Sequence, residues 1–559
     1  MRAMKARALL LAAILTGIAA GLSLEGHAAR AKPRPNVVVI ETDDQTVEEM
    51  RVMRNTLSLI GAQGTTFDNN FVSLSLCCPS RSTFLTGQYA HNHGVLTNSL
   101  PDGGYQKLDH TNTLAVWLQN AGYTTALVGK YLNGYGKKGK QTEIPPGWTE
   151  FHAGVNLSYY NWSMNDNGQL KTFGSAPADY QSDVLTAKAV DVIKRRVPES
   201  KPLFMWVTYH APHAGGPKEP DDPNGLGTVN VGTKYRDYFK NEPLPNFPSL
   251  NEADVSDKPI GIRNRPVLTP ERLAAIREAY QQQMESLLSV DDGVKEIVDA
   301  LRASGELDNT LLVFTDDNGF FQGQHRVPSG KVLVYEPSIR VPLLMRGPGV
   351  PKNRHLKQMV ANIDLAPTIV DLAKAKAGRT MDGKSLLPLL KNPSLQWGRD
   401  LLLERGPAGS KRKGTAMGEI ADGDNGNQGK TAAPGDQRFV AIRTPRYKYV
   451  EYANGEKELY DLAKDPDELT NVAGQTGYAE LQGELSARLA RLQSCKGASC
   501  RVGPSVSLAR AKCKFHVTGA DAREVGSVRY SRKGRDVTAR ISFTDGRIVL
   551  RAGTLPKTC

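Results

Sequence analysis

The sequence predicts an α/β fold, with a large and mainly parallel sheet flanked by helices. Three features carry that prediction. Residues 36–40 and 310–314 are near-continuous apolar runs rich in β-branched side chains, the pattern of strands covered on both faces in a parallel sheet. Between them strand-like and helix-like stretches alternate, as in βαβ architectures. At 559 residues, 40% hydrophobic and 23% charged, the chain is globular and too long for one ordinary core, so one large domain with smaller additions is expected.

The first 28 residues read as an export signal. Arg2, Lys5 and Arg7 make a basic start, 8–24 is apolar, and small residues surround Ala28 and Ala29, the layout of a cleavable secretory segment. No later segment is long and apolar enough to span a bilayer. The chain is therefore expected to be secreted, extracellular or in the periplasm or cell envelope, with no membrane span after signal removal.

The strand at 36–40 runs into Asp43 and Asp44. Ligands gather at the carboxyl ends of parallel strands, and two adjacent acids there repel unless a cation lies between them. The plainer reading is a solvated turn capped by an Asp. The pattern returns at 309–319, where a strand ends in Asp316, Asp317, Asn318 and Gly319. Oxygen donors from two strand ends suit Ca²⁺ or Mg²⁺ rather than zinc.

Between these acids, Cys77-Cys78-Pro79-Ser80-Arg81 opens a helix-like run that Gly87 stops. Pro is at home in a first helical turn. That sets Cys77 just before a helix N-terminus, where free N–H groups and the dipole favour an anion. Residue types alone leave two readings open: a reactive cysteine beside an oxyanion site, or an inert buried pair or vicinal disulfide.

A helix is predicted over 113–121, a strand over 123–130 ending at Lys130, a helix over 179–197, and a strand over 201–213 ending in His210 and His213. The Pro- and Gly-rich stretch 214–268 reads as long loops over the site. One helix or two are expected over 269–304, with Pro270 near the start and Gly305 past the end. Gly330-Lys331 and a strand near 341–344 follow. Residues 405–436, rich in Gly, Lys and Ala, read as a mobile insertion.

The formal charge of +13 is unevenly spread: 501–559 holds 13 Lys/Arg against four Asp/Glu. The long middle is near neutral, which argues against a nucleic-acid partner. The tail, 504–559, reads as a small basic β-meander, with Val537, Ala539, Ile541 and Phe543 alternating and Asp545-Gly546 as a hairpin turn. Contact with a polyanion, a sulfated polysaccharide or an acidic envelope, is one expectation for it and a partnerless soluble domain the other. Export permits disulfides among Cys495, Cys500, Cys513 and Cys559. Three pairings exist, and Cys495–Cys500 with Cys513–Cys559 is favoured.

The string at 77–87, C-x-P-S-R-x-x-x-L-T-G, resembles the signature of the type I sulfatases, of the alkaline-phosphatase superfamily. The resemblance extends through 36–44, 309–319, 335–344, 362–368, 443–449 and 458–462, roughly 35–490 in all. It implies a catalytic domain over 35–400 and a smaller antiparallel subdomain over 401–490; the tail at 504–559 lies outside the resemblance. It implies conversion of Cys77 to formylglycine (3-oxoalanine) by a formylglycine-generating enzyme. It places Asp43, Asp44, Asp317 and Asn318, with residue 77, on a calcium ion, or on magnesium. Arg81 would orient the formylglycine hydrate, Lys130 and Lys331 would clamp sulfuryl oxygens, and His213 would be the general acid, with His210 its competitor or a substrate contact.

Many sulfatases have Gly-Lys-Trp-His-Leu-Gly where this chain has Gly129-Lys130-Tyr131-Leu132-Asn133. This form looks like the glucosamine-6-sulfatase branch, as do the Cys77-Cys78 pair and His91-Asn92-His93-Gly94. Leu132 stands where the histidine would be, so Asn133 takes over a sulfate or sugar contact.

The implied activity is hydrolysis of sulfate monoesters, on a sulfated sugar or aryl group, through a sulfo-enzyme intermediate. One hydroxyl of the hydrate attacks sulfur and the other later expels sulfate, which splits one hard step into two. The cation positions and activates the oxygen, the lysines stabilise charge, and the acid protonates the leaving oxygen. The alternatives are a phosphatase or phosphonate hydrolase of the same superfamily, or an unmodified sulfated-glycan-binding protein.

Overall fold

The computed structural model describes residues 34–137, 139–395, 397–405, 438–501, 507–511, 514–518, 525–533, 535–543 and 548–555. The export signal expected at 1–28, nearly all of the insertion expected at 405–436, Cys513 and Cys559 lie outside the described residues.

The strands in chain order begin with β1 (Asn36–Asp43), β2 (Thr65–Phe67), β3 (Asn70–Phe71), β4 (Thr124–Gly129), β5 (Glu150–Asn156), β6 (Ser163–Asp166), β7 (Gln169–Thr172) and β8 (Leu203–Pro212). They continue with β9 (Thr310–Asp316), β10 (Leu343–Arg346), β11 (Arg354–Leu356) and β12 (Val360–Ala361). All but β3 and β12, which pair with each other, form a sheet in the order β11-β2-β10-β9-β1-β8-β4-β5-β6-β7. The centre, β9-β1-β8-β4-β5, is parallel. β10 lies antiparallel to β9 and β2, and β6 and β7 extend the other flank antiparallel.

The apolar runs form the middle of this sheet because they are covered twice. Every residue of β1, β8 and β9 is buried. Side chains alternate between faces, so Val37 and Val39 join one core and Val38 and Ile40 the other. The first core includes Phe84, Leu114 and Ile369, from helices Cys77–Thr86, Leu114–Asn120 and Leu365–Ala373. The second includes Val192 and Val294, from Gln181–Arg196 and Pro270–Ala303.

Pro270–Ala303 is a single helix of 34 residues. Thr269 Oγ1 caps it by accepting from the Arg272 N–H at 3.2 Å, and Pro270 occupies the first turn, where its missing N–H leaves no bond unmade. Residues 214–268 are loops apart from the short helix Ile260–Arg263.

A second sheet, β13 (Leu401–Arg405), β14 (Phe439–Arg443), β15 (Tyr447–Tyr452) and β16 (Lys457–Asp461), is antiparallel throughout. Its Leu402, Tyr449 and Leu459 share a core with Phe71, Tyr335 and Ile363 and with Leu485 and Leu489 of helix Ala479–Leu492. Cys495 and Cys500 form a disulfide. In the tail β17 (Ser507–Ala511) pairs with β18 (Lys514–Thr518), and β19 (Val525–Lys533), β20 (Asp536–Phe543) and β21 (Ile548–Thr554) make an antiparallel meander. Pro35–Cys559 forms one compact unit. Among the described residues no helix is long and apolar enough to cross a membrane.

Candidate active site

Three strand ends and one helix N-terminus meet at the carboxyl edge of the large sheet. β1 and β9 pair in parallel, with Thr42 opposite Asp316, which sets Asp43 and Asp44 beside Asp317 and Asn318. On the other side the β1–β8 register shifts between Glu41 and Asp43, and Asp43 lies opposite Pro212, next to His213. Asp44 turns the chain at φ +71°, in the left-handed region, which Asp tolerates better than most residues.

The helix Cys77–Thr86 starts at Cys77 itself, one residue earlier than the sequence predicts, with Leu76 extended as its N-cap. All ten of its residues are buried. Gly87 closes it at φ +65°, donating its N–H to Thr83 O at 2.8 Å, the left-handed stop that glycine makes without strain.

One ligand atom each from Asp43, Asp44, Cys77 and Asp317 lies within 4.8 Å of the others. Asp43, Cys77 and His213 also come that close. Cys77 Sγ is 3.4 Å from Asp43 Oδ1, and Lys331 Nζ donates to Sγ at 2.9 Å. The Lys331 ammonium also pairs with Asp44, and the Lys130 ammonium with Asp43. Asn318 Nδ2 donates to Asp44 Oδ1 at 2.5 Å. Arg81, fully buried, reaches Asp317 Oδ2 at 2.6 Å and Asp43 Oδ2 at 3.5 Å, and donates to the Lys130 carbonyl at 3.0 Å. Burial opposes ionisation of Asp43, but Lys130 and then His213, Lys331 and Arg81 hold its carboxyl well below the usual range. Burial, then Asp43, push the Cys77 thiol well up against the pull of the two lysines.

His213 donates Nδ1–H to Ala214 O at 2.7 Å, and its Nε2 is 3.7 Å from Asp44 Oδ2. A carbonyl only accepts, so Nδ1 keeps its proton and Nε2 is the nitrogen turned to the carboxylates. His210 stacks on His213 at 4.8 Å, and neither of its ring nitrogens has a hydrogen-bond partner among the described residues. Burial, then His213, hold His210 far below the usual imidazole range, in its neutral form. Asn133 is buried. With Lys130 it lines a cavity of about 430 Å³ whose other walls include Tyr135, Asn156, Ser158 and Tyr160.

Two buried acids lie beside the expected ligands: Glu41, not named among the sequence candidates, and Asp316, named only as part of the second acidic strand end. Glu41, two residues before Asp43 on β1, pairs with Arg81 at 3.4 Å; burial lifts its carboxyl to about 8 against that guanidinium. Asp316 accepts from the N–H groups of Gln45 and Asn318 at 3.2 and 3.1 Å and fixes both loops. The available signal was an acid inside or ending a strand otherwise covered on both faces. Cys78, the free neighbour of Cys77, is buried away from the cluster, with its N–H donating to Asn98 Oδ1 at 3.0 Å.

Comparison with known proteins agrees with this geometry. The family described as Sulfatase matches residues 35–375, and the one described as N-sulphoglucosamine sulphohydrolase, C-terminal, matches 432–495. The N-acetylglucosamine-6-sulfatase of Homo sapiens is 35% identical over 501 residues, covering 86% of this chain and 88% of its own. The arylsulfatase of Volvox carteri is 34% identical over 508 residues, covering 85% and 76%. A solved structure in complex with its substrate D-glucosamine-2-N,6-O-disulfate superposes with a TM-score of 0.66 at 23% identity, over 82% of this chain and 97% of that one. The phosphonate monoester hydrolase of Agrobacterium radiobacter, with a TM-score of 0.55 at 22% identity over 82% and 96%, shares the fold. With the family match spanning every strand end that builds the site, the chain belongs to the sulfatase family and is a sulfuric ester hydrolase.

Proposed function

We propose that this sulfatase removes sulfate from 6-sulfated amino sugars, with Cys77 converted to formylglycine and a calcium ion held at Asp43, Asp44, Asp317 and Asn318. The observation that carries this reading is the meeting of the Cys77 side chain with three carboxylates and the Lys331 ammonium at a helix mouth. Cys77 Sγ stands in for the formylglycine oxygen. Asp317 Oδ1 and Asn318 Oδ1 are buried with no hydrogen-bond partner among the described residues, which fits oxygen ligands of a hard cation; magnesium is the smaller competitor. When present, formylglycine supplies a hydrated-aldehyde oxygen as nucleophile, and the ion lowers that oxygen's pKa and polarises a sulfuryl oxygen.

The chain's own residues then bind and move protons. Lys130 and Lys331, both buried, hold sulfuryl oxygens, where charge that develops is worth more than in water. Arg81 fixes the acids and faces residue 77 from its own helix. His213 carries a proton on Nε2 to the leaving sugar oxygen, its ring oriented by the bond from Nδ1 to Ala214 O. His210, neutral, lies beside it as a substrate contact. Asn133 and the cavity it lines with Lys130 offer room and polar groups for the sugar.

The N-acetylglucosamine-6-sulfatase name of the relatives in Homo sapiens, Capra hircus and Bos taurus supports the amino-sugar 6-sulfate. The expected signal at 1–28 and the extracellular sulfatase named for Drosophila melanogaster support export. Conversion of Cys77 requires a formylglycine-generating enzyme as maturation partner. We keep 35–400 as the catalytic domain, with 401–490 as the smaller subdomain and 504–559 as the basic tail.

The test is the mass of the peptide spanning residue 77 in active protein, with formylglycine about 18 Da below cysteine, together with rates on glucosamine-6-sulfate, aryl sulfate and aryl phosphate. Unmodified cysteine in fully active protein, or a preference for phosphate, would overturn the reading. Activity that survives EGTA undiminished would remove the calcium from it.

A further inference from the structure

The tail sheet has two unlike faces. Residues directly opposite on antiparallel strands share a face. Val528 and Tyr530 of β19 face Ile541 and Ala539 of β20, while Arg529 and Ser531 face Arg540 and Thr538. The first face is covered: Ala539 and Ile541 are fully buried, and Val517 of β18 packs on them with Val525 and Val528. A Cβ on Gly553 of β21 would meet the Phe515 ring at 2.6 Å, so β18 lies close against this side.

The second face looks to solvent. Arg529, Ser531, Lys533 and Arg540 are exposed. Arg529 and Arg540 sit directly opposite each other, and neither makes an ion pair among the described residues. Like charges at opposed positions repel. An anion between two guanidinium forks reverses the sign of that term, because each fork matches a planar or tetrahedral oxyanion. Ser531 and Thr538 are the next opposed pair on the same face, and the Ser531 hydroxyl donates to the Thr538 carbonyl at 3.4 Å. Tyr530, the aromatic residue of β19, belongs to the other face, so this one offers no ring on which a nucleic-acid base would stack.

We propose that this outer face of β19 and β20 is an exosite for a linear sulfated polysaccharide, with the Arg529–Arg540 pair gripping one sulfate or carboxylate group. Occupant and substrate then share one chemistry, and the tail's 12 Lys/Arg against four Asp/Glu over 504–559 supply the wider field. The inference rests on the reading that the substrate is a sulfated sugar. It assigns the exosite no part in the chemical step.

The experiment compares the full chain with the double variant Arg529→Glu/Arg540→Glu. Both positions are exposed, so the variant is expected to keep the wild-type melting temperature and rate on an aryl sulfate. Its affinity for heparin oligosaccharide at 150 mM salt is expected to fall about ten-fold or more, with a shallower salt dependence, and its elution from heparin-agarose to move to lower salt. Unchanged heparin affinity overturns the proposal. So does an equal or larger loss for duplex DNA or for phosphatidylglycerol vesicles, which would name a different occupant. If the wild type hydrolyses no sulfate ester while the heparin shift still appears, the proposed function has failed and the exosite has not.

Discussion

Lys331 Nζ bridges Cys77 Sγ, at 2.9 Å, and the carboxylate of Asp44. One ammonium thus touches both the residue proposed to be the nucleophile and an acid proposed to hold the ion. Lys331→Met removes that charge from a fully buried place, where no water replaces it. Turnover of an aryl sulfate in calcium-containing buffer is expected to drop about 10²–10³-fold in kcat, with a smaller change in KM. Cys77→Ala is expected to abolish turnover with an intact fold by circular dichroism. A Lys331→Met enzyme within three-fold of wild type would take Lys331 out of the transition state.

Arg81 does a different job from the lysines. Its guanidinium joins Asp317, Glu41 and Asp43 and also carries the Lys130 carbonyl. Removing it leaves three buried acids without their shared counter-charge. Arg81→Ala is therefore expected to cost about 3–5 kcal/mol of stability, read as a lower urea midpoint, in addition to activity. Arg81→Lys keeps the charge and loses the fork, so it should recover part of the stability and little of the rate. Equal urea midpoints for wild type and Arg81→Ala would contradict the geometry.

A pH-sensitive tie joins the catalytic part to the second sheet. His91 Nδ1 faces Glu404 Oε2 of β13 at 3.1 Å, and Nε2 faces Cys495 O at 3.0 Å. Both nitrogens meet acceptors, which suits the doubly protonated ring. Burial opposes that proton, but the bond to Glu404, helped by the carbonyl and by Asp382, lifts the imidazole from 6.5 to about 8. A raised folded-state pKa stabilises below the unfolded value, and the gain fades as pH climbs through the folded one. Wild type is thus expected to hold its full advantage over His91→Gln below about pH 6.5 and to lose about 1 kcal/mol of it by pH 8.5, after allowance for solvent screening. Thermal melts of both proteins from pH 5.5 to 9 test this; parallel curves would refute it.

The parts of this protein legible in its sequence are those where one local rule sufficed. Val37–Ile40 and Leu311–Phe314 can only be strands covered on both faces, and they are. Pro270 marks the start of the long helix and Gly305 its end, while the sequence between them leaves one helix or two open. The site was legible because its residues sit at ends of such elements: Asp43, Lys130 and Asp317 each follow or close a buried strand. β5 to β7 were not foreseen. Gln169–Thr172 is exposed at every position, and Glu150 and His152 interrupt the apolar pattern with polar side chains whose burial depends on Arg195, Arg196 and Asp166 from elsewhere in the chain. Glu41 escaped notice for the same reason, since its partner Arg81 is forty residues away on a helix. Local pattern reports backbone class; it does not report which distant charge makes a buried acid tolerable.

Gly129 offers the sharpest structural test, because backbone alone decides it. It leaves β4 at φ +119°, and a Cβ there would lie 1.9 Å from Thr208 O. That same oxygen accepts the Lys130 N–H at 2.9 Å, while Thr208 Oγ1 donates to the Lys130 carbonyl at 2.5 Å. Any shift that admits a methyl group must therefore move the backbone that aims Lys130 at Asp43. Gly129→Ala is expected to lose at least about 2 kcal/mol of stability from the strained dihedral and the clash. It is also expected to lose more than ten-fold in kcat/KM on an aryl sulfate, a loss that persists well below its melting temperature. Gly477→Ala, where a Cβ meets nothing within 4 Å, serves as the control and should match wild type in both. If Gly129→Ala melts and turns over like that control, β4 and β8 do not approach at Thr208 as described, and the placement of Lys130 loses its support.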